Sequence, residues 1–202
     1  MKFSLLILGL SITTGICAIQ GFSVRPPFHV AYIVPAGTVG NQQLPPEQTQ
    51  TMGNDFAVNR TIQVFALGVF DSGGDGLLCT LHARIYDLDT LVSVADIEFT
   101  PERPGVLIGG SRYLPLKQPL TLKRGFRGTV CVAYLGDTVL EPDGNIRCGS
   151  GDWTTDGDKN AISFNGMGRH SYMGTGDVFP DIVDPSPVPN NFAAGTFVYR
   201  LK

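Results

Sequence analysis

Two short stretches hold the residue types from which a cation or sugar site is built. In Asp71-Ser72-Gly73-Gly74-Asp75-Gly76, two carboxylates stand four residues apart with glycines between them. Glycine lets backbone carbonyls fold inward, so Asp71 and Asp75 with carbonyls and water can approach the roughly six to eight oxygens that Ca²⁺ takes. The loop lacks the repeated Asp and distant Glu of an EF-hand, and the competing reading is a turn whose Asp side chains bond backbone N–H groups. The second stretch is Asp152-Trp153-Thr154-Thr155-Asp156-Gly157-Asp158-Lys159-Asn160. Asp156, Asp158 and Asn160 alternate as ligands in calcium loops do. Trp153, the only tryptophan, can stack on the apolar face of a sugar ring while these side chains bond its hydroxyls, or it can plug one end of the domain. Further on, Arg169, His170 and Tyr172 add donors and a second ring. Asp177, Asp181 and Asp184 among Pro180, Pro185, Pro187 and Pro189 read as a stiffened rim.

Catalytic constellations are sparse. There are three histidines, His29, His82 and His170, and no Gly-x-Ser-x-Gly elbow, His-Glu-x-x-His pair or phosphate-binding loop. Carboxylate pairs (Asp71 with Asp75, Asp156 with Asp158) keep a glycoside hydrolase as an alternative, but the expectation is a protein that is not an enzyme. His82 beside Arg84 reads as a solvated or inter-sheet pair.

These residues must be carried by strands. The run Ile62, Val64, Phe65, Ala66, Leu67, Val69, Phe70 drives into the Asp71 loop, and the chain leaves it as an alternating strand. There Cys79, Leu81, Ala83 and Ile85 point one way, and Thr80, His82, Arg84 and Tyr86 the other. A turn at 87–90 and a return over 91–99 make a hairpin. Residues 126–135 are apolar on both faces, as in a central strand. Residues 28–34 and 192–201 read as terminal strands, and 161–164 as a short one. Two more, 113–116 and 119–122, are broken by prolines and belong at an edge. Residues 35–55 read as a polar connection, and 136–159 and 165–191 as long irregular loops. Those two loops hold 8 of the 14 aspartates, which makes them the expected working surface. The fold expected is all-β, an antiparallel β-sandwich of jelly-roll type with two long Asp/Gly-rich loops.

Composition agrees: 25 Gly and 14 Pro, with 14 Asp against 4 Glu, favour turns over helices. The net charge of −3 without Lys/Arg clusters argues against nucleic acid or an anionic membrane as partner. Residues 1–18 read as a secretory signal peptide, with Lys2 before an apolar run from Leu5 to Ile12 and small residues at Gly15, Cys17 and Ala18. That run is too short to span a bilayer. Residues 19–202 then form a single domain, extracellular and soluble. In that oxidising setting Cys79, Cys131 and Cys148 cannot all pair within one chain. The preferred bridge is Cys131–Cys148, a loop closure of roughly 3 kcal/mol in the chain-entropy model. Cys79–Cys131 is the alternative, and the remaining thiol is buried or links to another chain. Asn59-Arg60-Thr61 is an N-glycosylation triplet ahead of the buried strand.

The run from Gly68 to Leu77, then Tyr86-Asp87, Pro119-Leu120-Thr121-Leu122, Gly125-Phe126-Arg127-Gly128-Thr129 and Ala194-Gly195-Thr196-Phe197, resembles a group of secreted modules that look like galactose-binding-type jelly rolls. The resemblance covers most of residues 28–199 and rests on turns and strands. It implies the fold and secretion, and brings no ligand or catalytic residue with it. The function expected is a secreted binding module for carbohydrate or a glycosylated protein surface. A structural or adhesive matrix protein is the first alternative, and a glycoside hydrolase the second.

Overall fold

The computed structural model describes residues 28–40, 49–135, 160–171, 177–184 and 192–202. The expected leader, Trp153, Asp156, Asp158, Cys148 and Tyr172 lie outside them. Among the described residues the chain is all-β apart from one 3₁₀ turn at Ser72–Gly74. The strands are β1 (His29–Val30), β2 (Gln50–Val58), β3 (Ile62–Phe70), β4 (Leu81–Asp87), β5 (Ser93–Phe99), β6 (Val106–Ile108), β7 (Ser111–Leu122), β8 (Arg127–Tyr134), β9 (Ile162–His170), β10 (Ile182–Asp184) and β11 (Gly195–Leu201). They form two antiparallel sheets, one ordered β1-β11-β3-β7-β6 and the other β10-β9-β2-β8-β4-β5. The layers face each other as a β-sandwich. No helix of the described residues is long and apolar enough to cross a membrane.

Period-two alternation decides which side chains meet between the layers. Leu81, Ala83 and Ile85 of β4 and Val130, Val132 and Tyr134 of β8 point inward from one sheet. Ile62, Val64, Leu67 and Val69 of β3 and Phe197 and Tyr199 of β11 answer from the other. Each large side chain so buried is worth about 1.5–3 kcal/mol against exposure. Phe56 and Phe197 join the layers with ring centroids 5.1 Å apart.

Three segments depart from the sequence expectation. Residues 50–55, expected as polar connection, are the first half of β2, hydrogen-bonded between β8 and β9. Some of their polar atoms are bonded from afar: the Thr51 N–H donates to Ser171 Oγ at 3.0 Å, and Asn54 Nδ2 donates to the Phe192 carbonyl, while Thr51 Oγ1 and Asn54 Oδ1 stay buried with no partner among the described residues. The two proline-broken strands are one strand, β7, whose pairing with β3 slips between Val64 and Ala66. That slip lets the strand carry Pro115 and Pro119 without breaking. The third departure is the stretch 165–191, expected as an irregular loop, where β9 runs on to His170 and β10 pairs back with it.

The cysteine expectation is also corrected. Cys131 is a buried thiol in no disulfide, so the Cys131–Cys148 bridge does not form. Because Val130 and Val132 face the core, Cys131 faces outward, directly opposite Arg84 of β4 and Gly53 of β2. Cys79 belongs to the inner core and lies five residues from Arg84. With Cys131 in no disulfide, the Cys79–Cys131 bridge does not form either. Burial pushes the Cys131 thiol well up from its ordinary value, which withholds the reactive thiolate. In native protein at pH 8, iodoacetamide is expected to leave Cys131 unmodified, with labelling only on denaturation; labelling of the folded chain within minutes, read by peptide mass, counts against this placement.

Candidate functional site

The outer face of the six-stranded sheet is unusual for carrying charge under cover. Register sets Arg169, Gly53, Cys131, Arg84 and Asp96 in one row across β9, β2, β8, β4 and β5. A second row holds Asp55, Thr129 and Tyr86. Residues 177–184 fold back over these rows, with β10 paired to β9. Phe179 meets Tyr86 edge-on at 5.3 Å and lies 5.6 Å under the Arg169 guanidinium carbon.

Arg84, 5% exposed, is the hub of one half. Its Nε donates to Asp96 Oδ2 at 2.8 Å, its Nη2 to Asp177 Oδ2 at 2.9 Å, and its Nη1 to Asp177 Oδ1. Burial alone would lower its pKa, but the bonds to Asp177 and the charge of Asp96 more than reverse that, so it stays charged. A buried guanidinium is tolerable only with such partners.

Asp96 also has His82 Nδ1 at 3.1 Å. Burial works to raise the Asp96 carboxyl, yet the His82 hydrogen bond and the Arg84 charge outweigh it and hold it below the usual carboxylate range. The folded value is the depressed one, so this contribution is present above the unfolded value of about 3.9. It is lost as pH falls through the folded value. Asp96→Asn should therefore flatten the decline of stability below pH ~4. Urea midpoints that fall as steeply with acid in the variant as in the parent would contradict this.

The other half centres on Arg169. Its Nε donates to both oxygens of Asp55, at 2.7 and 2.8 Å, and Thr129 Oγ1 donates to Asp55 Oδ1 at 2.5 Å. Beside them a recess of about 290 Å³ is walled by Asp55, Phe56, Ala57, Leu88, Arg127, Arg169 and Val183. Arg127 reaches it from the rim, paired through Nη2 with Asp89 in solvent. A second, larger groove of about 580 Å³ opens where β5 and β7 flank the gap between the layers, bordered by Asp96, Glu98, Arg103, Lys117, Leu116 and Leu120.

The residues singled out in the sequence separate in space. Arg169 is in the recess, whereas His170, its neighbour, turns inward and meets the Phe192 ring at 6.3 Å. Asn160 is exposed just before β9, at the opposite end of that strand from Arg169. Asn59 is exposed after β2, its Nδ2 donating to Ser163 Oγ at 3.2 Å. Asp71 and Asp75 do not act together: Asp71 is fully buried and Asp75 exposed. Arg112 Nε donates to Asp71 Oδ2 at 2.5 Å and the Gly76 N–H to Oδ1 at 3.2 Å. The calcium expectation is thus corrected to the turn reading, since a guanidinium occupies the place a cation would take. Among the described residues no three His, Cys, Asp or Glu side chains converge as metal ligands.

Asp55, Arg127 and Phe179 were missed as site residues, and Arg84 was underestimated. A charge inside a strand that is apolar on its other face, as at Arg84, demands a buried partner and was the signal available. Asp55 gave none, because its segment did not read as a strand. No protein-family model matches the chain, and no curated protein matches it significantly.

Proposed function

We propose that the protein is an extracellular, non-catalytic carbohydrate-binding module of jelly-roll type, with its ligand seat in the recess beside Arg169. The observation that carries this reading is the Asp55–Arg169 lock: a carboxylate and a guanidinium held rigidly by each other and by Thr129 at the wall of a small recess with apolar sides. Sugar rings need that combination of fixed polar groups for hydroxyls and apolar surface for the C–H face, and preorganised groups lose little entropy on binding. The leader pattern at residues 1–18 supports the extracellular setting. The non-catalytic part rests on the partnering of the carboxylates: Asp55, Asp71, Asp96 and Asp177 each bond an arginine, which suits structural anchors better than a general acid.

The test is a glycan array probed with the mature protein and with Val183→Trp, which fills the recess and removes no charge. Binding to a glycan class is expected, lost in the variant at unchanged melting temperature. Equal binding by the variant would remove the recess from the account, and no binding by either would remove the carbohydrate.

A second reading, adhesion through protein contacts, has its own support at the edge of the same sheet. Among the described residues β5 pairs only with β4; Val94, at the larger groove, is 37% exposed, and Leu91 and Val92 in the connection from β4 are 53% and 58% exposed. Exposed apolar side chains grouped at an open strand edge suit a protein partner.

A further inference from the structure

We infer that the recess selects an anionic sugar, one whose carboxylate or sulfate group is held by Arg169 and Arg127. This deepens the carbohydrate reading above and rests on it. The argument is a count of donors against acceptors. Asp55 is 4% exposed, and its two oxygens already accept from Thr129 Oγ1 and Arg169 Nε. Little acceptor capacity is left for a sugar hydroxyl. Donors are in excess. Arg169 bonds Asp55 only through Nε, and among the described residues its terminal nitrogens make no hydrogen bond. Arg127 is tied to Asp89 in a pair exposed by 64% and 60%. Such a pair is worth little in water and is readily exchanged for a ligand. The recess therefore presents two guanidinium groups and one carboxylate that is already matched.

A neutral sugar hydroxyl both donates and accepts, so a surface of donors alone satisfies half of it. An oxyanion only accepts, and the planar fork of an arginine fits two of its oxygens at once. Asp55 at Nε and the Phe179 ring beneath the guanidinium carbon fix the plane of the Arg169 fork before any ligand arrives. Leu88 and Val183 supply apolar wall for the ring. At about 290 Å³ the recess has room for a single sugar unit rather than a chain.

Calorimetric titration of the mature protein with oligouronates, with sulfated oligosaccharides and with neutral oligosaccharides tests this. The acidic ligands are expected to bind about tenfold or more tighter than the neutral ones. Their affinity should fall as salt is raised from 50 to 300 mM, as charge pairing at a part-exposed site requires. Arg127→Gln is expected to weaken them severalfold, and Val183→Trp to abolish binding with the melting temperature retained. Preference for uronate over sulfate names a carboxylate as the group in the fork, the reverse preference names a sulfate, and either supports the inference. Neutral sugars binding as well as acidic ones would overturn it and leave the carbohydrate reading standing. Acidic binding that survives Val183→Trp would place the contact elsewhere and also overturn it. Silence from all three ligand sets would sink both readings together.

Discussion

Gly53→Ala is expected to destabilise the fold by about 3 kcal/mol or more. Gly53 sits mid-strand in β2, between Cys131 of β8 and Arg169 of β9. A Cβ there would fall on the Val130 carbonyl oxygen and lie 2.5 Å from Cys131 Cβ and 2.6 Å from Cys131 Cα. Two of those three atoms are backbone, so the clash cannot be relieved by a rotamer change. The strands themselves would have to part, taking ladder hydrogen bonds with them. Gly53 has no left-handed backbone conformation to protect, so the effect is purely one of space. Chemical denaturation decides it: a urea midpoint within error of the parent would mean that β2 and β8 are not this close. Gly125→Ala, where a Cβ meets nothing but φ is +90°, is the useful contrast, since it isolates backbone strain from crowding.

Arg112→Met is of similar size, at roughly 3–5 kcal/mol. The side chain keeps its bulk while Asp71, fully buried, loses its only guanidinium. What remains for that carboxylate is the Gly76 N–H at 3.2 Å, a poor substitute for a charge. The register Val69↔Arg112 places this pair where β3 meets β7, so the loss is felt at the start of the glycine-rich turn. Asp71→Asn combined with Arg112→Met should recover a large share of the stability, because the penalty comes from the orphaned charge and not from the missing arginine. A double-mutant cycle measures this directly. Additive effects of the two substitutions would show that Asp71 and Arg112 are not coupled, and the turn would need another explanation.

Most of the layering could be read from local pattern, because β4 alternates along its length while β3 and β8 are near-continuous apolar runs, as strands in the middle of a sheet are. What escaped is carried by contacts distant in sequence. β2 begins Gln50-Thr51-Met52-Gly53-Asn54-Asp55, which no local rule marks as buried strand. Its polar groups are acceptable inside only because Ser171, Phe192 and Arg169 arrive from more than a hundred residues away. The same dependence hid the site. Arg169 and His170 looked like neighbours in one loop, but a strand sends successive side chains to opposite faces, so only Arg169 reaches the recess. Asp177 was legible as an acidic residue near prolines, and its role as the partner of Arg84 was not. At Asp71 the sequence leaves a calcium loop and a capped turn both open, and the arginine that pairs with it lies 41 residues on.

The closeness of Gly195 to the Cys131 backbone, 2.8 Å from where a Cβ would stand, marks a line along which the two layers nearly touch. Between β5 and β7 they leave about 580 Å³ unfilled. The layers therefore lie close where β11 crosses β8 and further apart between β5 and β7, and that wider gap is a doorway for water to the hydrocarbon inside. Heat or denaturant should pry the molecule apart from that doorway, with the Gly195 seam the last to let go.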